Sequence, residues 1–339
     1  MNETKASAPR SAAALRPLLV VLFCLFAKAP LQAQDIHFSQ IDINPILLNP
    51  AYSGFFDGTA RFGLAYRNQW SSVSKAFQTV AATAEVSLLR RRYYRDGLNL
   101  GIILYNDRAG TLHYGTTAAS VILSYYKAID ASNNNFVSLA IEAGPGQAGF
   151  NPADIDMEDP SETLETTTAN FFTLGTGIAW FYQPHDNFYF KLGMAGRNLN
   201  RPNISYLQLD DTYIERKFSA YARAEIRAWP SLSLLPLAVC MLQRNNREVL
   251  LGCDVKYYIS ESTFQQISFS AGLRYRWRDA LMVELAAEYN AFLFALTYDA
   301  NLSRLTPASK SLGAFEIGVV YRLSKNKRIQ RKALPCPII

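Results

Sequence analysis

The run Gln266-Ile-Ser-Phe-Ser-Ala-Gly-Leu-Arg-Tyr-Arg-Trp277 decides the fold of this 339-residue chain. In it Ile267, Phe269, Ala271, Leu273, Tyr275 and Trp277 alternate with Ser268, Ser270, Gly272, Arg274 and Arg276. A period of two belongs to a β-strand, whose successive side chains point to opposite faces. One face is apolar and the other carries two arginines, so the faces meet different surroundings. The pattern continues in Leu281, Val283, Leu285, Ala287 and Tyr289 against Glu284, Ala286 and Glu288. It recurs in Phe315, Ile317, Val319 and Tyr321 against Glu316, Gly318 and Arg322, and earlier in Phe62, Leu64 and Tyr66 against Arg61 and Arg67.

Working outward, the same period predicts strands near 59–69, 77–89, 97–107, 114–127, 136–145, 169–182, 187–198, 214–228, 231–243, 248–260, 265–277, 280–290, 291–301 and 313–323, about fourteen in all. Segment 231–243 is the least regular: Leu234, Leu235 and Leu237 blur the period, and Pro236 predicts a bulge. A soluble sandwich turns its apolar faces inward, whereas a membrane barrel turns them out to lipid and encloses polar groups. Three features favour the barrel. The segments run to ~10 residues or more, enough to cross hydrocarbon at a tilt, whereas globular strands average ~5–6. Aromatics such as Tyr66, Trp70, Tyr125, Trp180, Trp277, Tyr289 and Tyr321 gather near segment ends, as an interfacial girdle requires. The other face carries Arg223, Glu225, Arg227, Asp254, Lys256, Arg274, Arg276, Glu284, Glu288 and Glu316, which would then face a lumen. A free sheet edge finds no partner in lipid, so the sheet must close. The expected fold is an all-β, transmembrane antiparallel β-barrel of about 14 strands.

Connection lengths agree. The longest, near 146–168, 199–213 and 302–312, follow odd-numbered strands and so share one side, as the long outer loops of outer-membrane barrels do. Residues 1–16 are polar with basic residues, 17–27 (PLLVVLFCLFA) are apolar, and Leu31-Gln32-Ala33 follows. That order is a secretory signal with cleavage after Ala33, and the apolar run is too short to span a bilayer as a helix. The reading divides the chain into an export signal (1–33), an N-terminal plug or rim segment (34–58), an outer-membrane β-barrel (59–323) and a basic tail (324–339). The chain's formal charge is +6, with +3 in residues 1–33 and +5 in 324–339, so the stretch between carries −2. A folded surface of that charge argues against nucleic acid as a partner. Beyond the signal three cysteines remain, too few and too irregular for a disulfide framework or a zinc site. Cys240 and Cys253 read either as neighbours across a hairpin at Asn245-Asn246 or as small apolar residues facing lipid.

Residues 34–58, QDIHFSQIDINPILLNPAYSGFFDG, do not alternate. Asn44-Pro45 and Asn49-Pro50 impose turns, because proline fixes φ and restricts the residue before it. Their apolar density suits a segment that plugs the lumen or packs on its rim better than a linker. Gln34-Asp35-Ile36-His37-Phe38-Ser39-Gln40, then Asn44-Pro45, then Asn49-Pro50-Ala51-Tyr52-Ser53-Gly54, then Tyr66-Arg67-Asn68-Gln69-Trp70 resemble the opening of the PorP/SprF proteins. The resemblance implies an outer-membrane component of the type IX secretion system of Bacteroidetes. It further implies a role in secreting or retaining large surface proteins, including gliding adhesins, and association with periplasmic ring or peptidoglycan-associated proteins. The expected docking residues are Asn44, Pro45, Asn49, Pro50, Tyr52, Gly54, Arg67, Asn68, Gln69 and Trp70.

Little in the sequence points to catalysis. His37, His113 and His185 share no strand face, which disfavours a metal site or a Ser–His hydrolase. Glu284 and Glu288, four apart on one face, are expected to form a satisfied ladder with Arg274 and Arg276 rather than an acid/base pair. The acidic stretch Asp154, Asp156, Glu158, Asp159, Glu162 and Glu165 lacks the glycine-centred calcium pattern. No enzyme activity and no cofactor are expected. Two non-enzymatic readings remain: a docking component of a secretion machine, and a channel or transporter for small solutes with 34–58 as its plug.

Overall fold

The computed structural model describes residues 38–69, 77–91, 95–109, 114–150, 167–205, 212–262, 265–302 and 312–324. These hold fourteen strands: β1 (Ala60–Gln69), β2 (Phe77–Arg91), β3 (Asp96–Ala109), β4 (Tyr114–Ala128), β5 (Asn135–Gly149), β6 (Thr168–His185), β7 (Phe188–Arg197), β8 (Lys217–Trp229), β9 (Leu232–Gln243), β10 (Asn246–Glu261), β11 (Gln266–Arg276), β12 (Ala280–Tyr289), β13 (Phe292–Asn301) and β14 (Leu312–Leu323). Each pairs antiparallel with its chain neighbours, and β14 returns to β1 with Ala60 opposite Leu323 and Gln69 opposite Ala314. The sheet is a closed barrel, so no strand leaves its backbone groups unpaired at an edge.

The alternation fixes which face is which. Phe269, Leu273 and Leu285 point outward, 52%, 56% and 55% exposed, while Ser268, Arg274, Glu284 and Glu288 point inward and are buried. A barrel with its apolar side outside is the form that lipid selects. The strand ends that flank 150–167, 198–216 and 302–311 share one end of the barrel, and the turns 186–187, 230–231 and 290–291 lie at the other. At the turn 290–291 Asn290 has φ +54°, a left-handed conformation that asparagine tolerates.

Four details differ from the sequence reading. Pro236 makes no bulge: β9 keeps one register with β10 (Cys253 opposite Pro236), and Arg223↔Leu237 and Ile226↔Leu234 keep one register with β8. The two pairs between those last two are missing, since proline brings no N–H to the ladder. The sequence Gln183-Pro184-His185-Asp186 reads as a short turn, yet Pro184 sits at a register shift between Tyr182 and His185 near the end of β6. Cys240 lies opposite Val249 and Cys253 opposite Pro236, four positions apart along β10, so they are not neighbours. Glu288 pairs with Lys256 at 2.9 Å and with Arg322, not with Arg274 or Arg276: Ser268 and Ser270 on the intervening β11 leave room for the Lys256 side chain, and Arg322 reaches across β13 from β14. The export signal, His37, Trp70, His113, the acidic stretch 151–166 and the tail 325–339 lie outside the described residues.

Candidate functional site

Residues 38–58 run inside the barrel before joining β1. Each Asn-Pro pair opens a helical turn, with the proline at the first position, where its fixed φ suits a helix and its missing N–H costs nothing. Pro45–Leu48 is one α-helical turn and Pro50–Tyr52 one 3-10 turn. Asn49 caps the second: its Oδ1 accepts from Ala51 N at 2.8 Å. Its Nδ2 donates to the carbonyls of Ile178 and Met194, at 3.0 and 3.2 Å, on β6 and β7. Asn44 does not cap with its side chain, because Oδ1 instead accepts from Thr83 Oγ1 at 2.6 Å on β2.

Glycines in the wall let these residues approach. A Cβ on Gly177 would stand 2.1 Å from Asn49 Oδ1, and one on Gly193 would stand 2.5 Å from Asn49 Nδ2 and from the Tyr52 hydroxyl. Likewise a Cβ on Gly63 would meet Asn44 Oδ1 at 2.2 Å. Gly54 has φ +85° and lies against Asn99, so a side chain is excluded there on both counts. The apolar residues fill the space between: Ile46, Ala51 and Tyr52 join Phe136, Phe181, Tyr221, Leu237 and Val239 in one buried cluster. Phe55 stacks on Phe181 with centroids 3.5 Å apart. Leu237, one of the leucines that blurred the period of β9, is therefore part of its contact with this segment.

The charged wall residues bind the segment's backbone. Glu316 accepts from the Ser39 and Gln40 amides at 2.8 and 2.9 Å and pairs with Arg67. Arg274 donates to the Ser39 carbonyl at 2.8 Å, and Arg276 to the Ser39 hydroxyl at 3.0 Å. Arg61 reaches the Asp42 and Ile43 carbonyls at 2.7 and 2.9 Å while pairing with Glu85. Lower in the segment Ser124 donates to the Ser53 carbonyl at 2.9 Å, and Gly54 N to Glu85 at 3.1 Å.

Asp42 brings an acid of the segment into the wall cluster. It pairs with Arg223 and, at 3.5 Å, with Lys191. Burial alone pushes its carboxyl up, but Arg223, Lys191 and Arg274 outweigh that and hold it well below the usual carboxylate range. Oxygens of Asp42, Asp254 and Glu284 lie within 4.8 Å of one another, a spacing that would suit a cation. Arg274 is already among them, 3.0 Å from Asp254 and 2.6 Å from Glu284, and Arg223 is 2.9 Å from Asp254. The guanidinium groups thus supply the positive charge that three buried carboxylates require.

The motif residues fare differently. Asn44, Pro45, Asn49, Pro50, Tyr52 and Gly54 are together in the interior segment, and Arg67 meets it through the Ser39 hydroxyl at 2.8 Å. Gln69 bonds Arg67 at 3.3 Å, whereas Asn68 turns outward to the Tyr66 hydroxyl. Of the lumen-face residues, Arg223, Arg274, Arg276, Glu284, Glu288 and Glu316 are buried; Glu225 is half-buried and holds the Tyr258 hydroxyl. Asp42, Lys191, Asp299 and the wall glycines did not stand out in the sequence. The signal available was that glycines such as Gly63, Gly177 and Gly193 stand at inward positions of strands.

Residues 31–321 match the family described as type IX secretion system membrane protein PorP/SprF. No curated protein matches the sequence. Among solved structures the chain is similar to the CymD monoaromatic hydrocarbon channel, with 10% identity over 83% of this chain and 93% of that one and a TM-score of 0.50. It is also similar to the Ralstonia pickettii toluene transporter TbuX (10%, 83% and 94%, TM-score 0.47) and to CdiB from Escherichia coli (9%, 78% and 63%, TM-score 0.47). At these identities the likeness concerns the fold alone. The closed fourteen-strand barrel and the family match over most of the chain lead to one conclusion: the protein belongs to the PorP/SprF family of type IX secretion system membrane proteins and is an integral protein of the outer membrane.

Proposed function

We propose that the protein is a non-enzymatic frame of the type IX secretion machinery whose lumen is sealed by residues 38–58. In this reading it supports secretion or surface anchoring of large exported proteins, adhesins of gliding among them. The connections 150–167, 198–216 and 302–311 meet the exported protein, and the opposite end meets periplasmic ring or peptidoglycan-associated partners. Loops on a rigid scaffold are the usual place for such recognition. The observation that carries the reading is the set of bonds from Arg61, Arg274 and Glu316 to the segment's own backbone and from Arg67 and Arg276 to its Ser39 hydroxyl. A plug that slid aside would break these buried bonds and part Asp42 from Arg223 and Lys191, which is costly. Cargo therefore uses a neighbouring pore.

The competing reading, a channel for small solutes, draws on a cavity of about 60 Å³ bordered by Leu47, Leu48, Tyr105, Glu142 and Arg197. That is room for a few water molecules, not a path. Gene deletion is expected to abolish surface display of an exported protein while leaving nutrient uptake intact, and periplasmic ring proteins are expected to copurify from native membranes. Loss of uptake with display unchanged would favour the channel.

A further inference from the structure

The lipid-facing wall is not uniform around the barrel. β2 to β6 have 15, 14, 15, 15 and 18 residues, whereas β1, β7, β12 and β13 have 10 each. On the outward face of this taller side, the apolar rows end before the strands do. Asn106 lies opposite Thr117, Thr117 opposite Gln147, and Gln147 opposite Asn170, forming one polar row across β3, β4, β5 and β6 toward the end with the long connections. Asn106 Nδ2 donates to Thr117 Oγ1 at 2.6 Å, and Gln147 Nε2 donates to Asn170 Oδ1 at 3.1 Å.

Bordering that row, the outer wall holds a groove of about 670 Å³. Val80 and Leu104 form one flank, and Ala82, Ala119, Pro145 and Gly146 line it with little side-chain bulk. The β4–β5 ladder is interrupted there, since no pairing joins Ala118↔Gly146 to Val121↔Ala143. Pro145 brings no N–H to that seam.

We propose that this groove binds a lipid of the outer leaflet that carries a sugar headgroup, its acyl chain lying in the groove and its headgroup meeting the row of amides. An apolar depression on the lipid-facing wall is filled by acyl chains. The row itself is neutral. Each asparagine and glutamine amide has two donors and a two-lone-pair oxygen, so bonding within the row leaves capacity for hydroxyl and amide groups of a ligand. A phosphate or ammonium headgroup would instead call for opposite charge in the row. The position at the long-connection end matches the leaflet that faces outward.

The test equilibrates full-length protein in neutral detergent with an uncharged glycosyl diacylglycerol or with phosphatidylethanolamine, washes it, and measures retained lipid by native mass spectrometry. Wild type is expected to retain the glycolipid and to release the phospholipid. Ala119→Phe, which fills the groove from its lipid-facing side, and Asn106→Ala combined with Asn170→Ala are each expected to cut retention about tenfold. Leu285→Phe, on the far wall, serves as the control and leaves retention unchanged. Heat-dependent gel mobility confirms that each variant is folded. Equal retention of the two lipids, retention indifferent to Ala119→Phe, or a transmembrane protein found in the groove in place of lipid would each overturn the proposal.

Discussion

Removing residues 38–57 is expected to turn a barrel that carries no steady ionic current into one that conducts. The deletion takes out Ile43, Ile46 and Tyr52, which are 2%, 0% and 3% exposed, from the middle of the lumen. It also removes Asp42 from beside Arg223 and Lys191. What remains is a wall of Arg61, Arg67, Lys191, Arg223, Arg274 and Arg276 facing Glu85, Asp254, Glu284, Asp299 and Glu316. Such a surface fills with water, and fourteen strands enclose a lumen wide enough for ions. The current in planar bilayers is expected to rise by on the order of tenfold or more over the full-length protein. The milder pair Asp42→Asn and Asn49→Ala keeps the chain length and is expected to give brief openings. A deleted barrel that is folded and still silent would mean that side chains of the wall seal the lumen unaided.

Glu316→Ala is expected to cost about 3–5 kcal/mol of stability, the range for removing one partner of a buried ion pair. Glu316 is fully buried, receives the amides of Ser39 and Gln40, and neutralises Arg67. Alanine leaves two backbone donors and part of a guanidinium without their acceptor in a place water does not reach. Arg67 keeps Asp299 at 3.2 Å, so the loss stops short of a lone buried charge. Adding Arg67→Ala is expected to cost less than the sum of the single changes, because the orphaned cation leaves with it. Unfolding by guanidinium from lipid vesicles reads both quantities. A cost below 1 kcal/mol would place Glu316 in a hydrated, loosely held interior.

Much of the architecture was legible because lipid imposes a simple rule on a strand. Phe269 and Leu285 are outside and Arg274 and Glu284 inside for the same reason that the period is two. Where the rule failed, the interior was not the polar space it assumes. Leu237 looks irregular only while the lumen is taken as empty; with Val239 it joins Ile46 and Tyr52 in one buried cluster, where an apolar inward face is the stable choice. The asparagine–proline pairs marked the segment, but their partners are carbonyls of Ile178 and Met194 and a hydroxyl of Thr83, brought near by closure over 39 to 145 residues of chain. No local spacing announces such contacts. The same holds for the pairing of Glu288 with Lys256 and Arg322, each from a non-adjacent strand.

Hydrogen–deuterium exchange of the full-length protein in lipid nanodiscs tests the occupied lumen most directly. The amides of Ser39, Gln40, Ala51 and Gly54 each have a buried acceptor, so peptides covering 38–57 are expected to exchange as slowly as those of β1 and β14. Exchange of that segment within seconds, while the strands stay protected, would contradict the account.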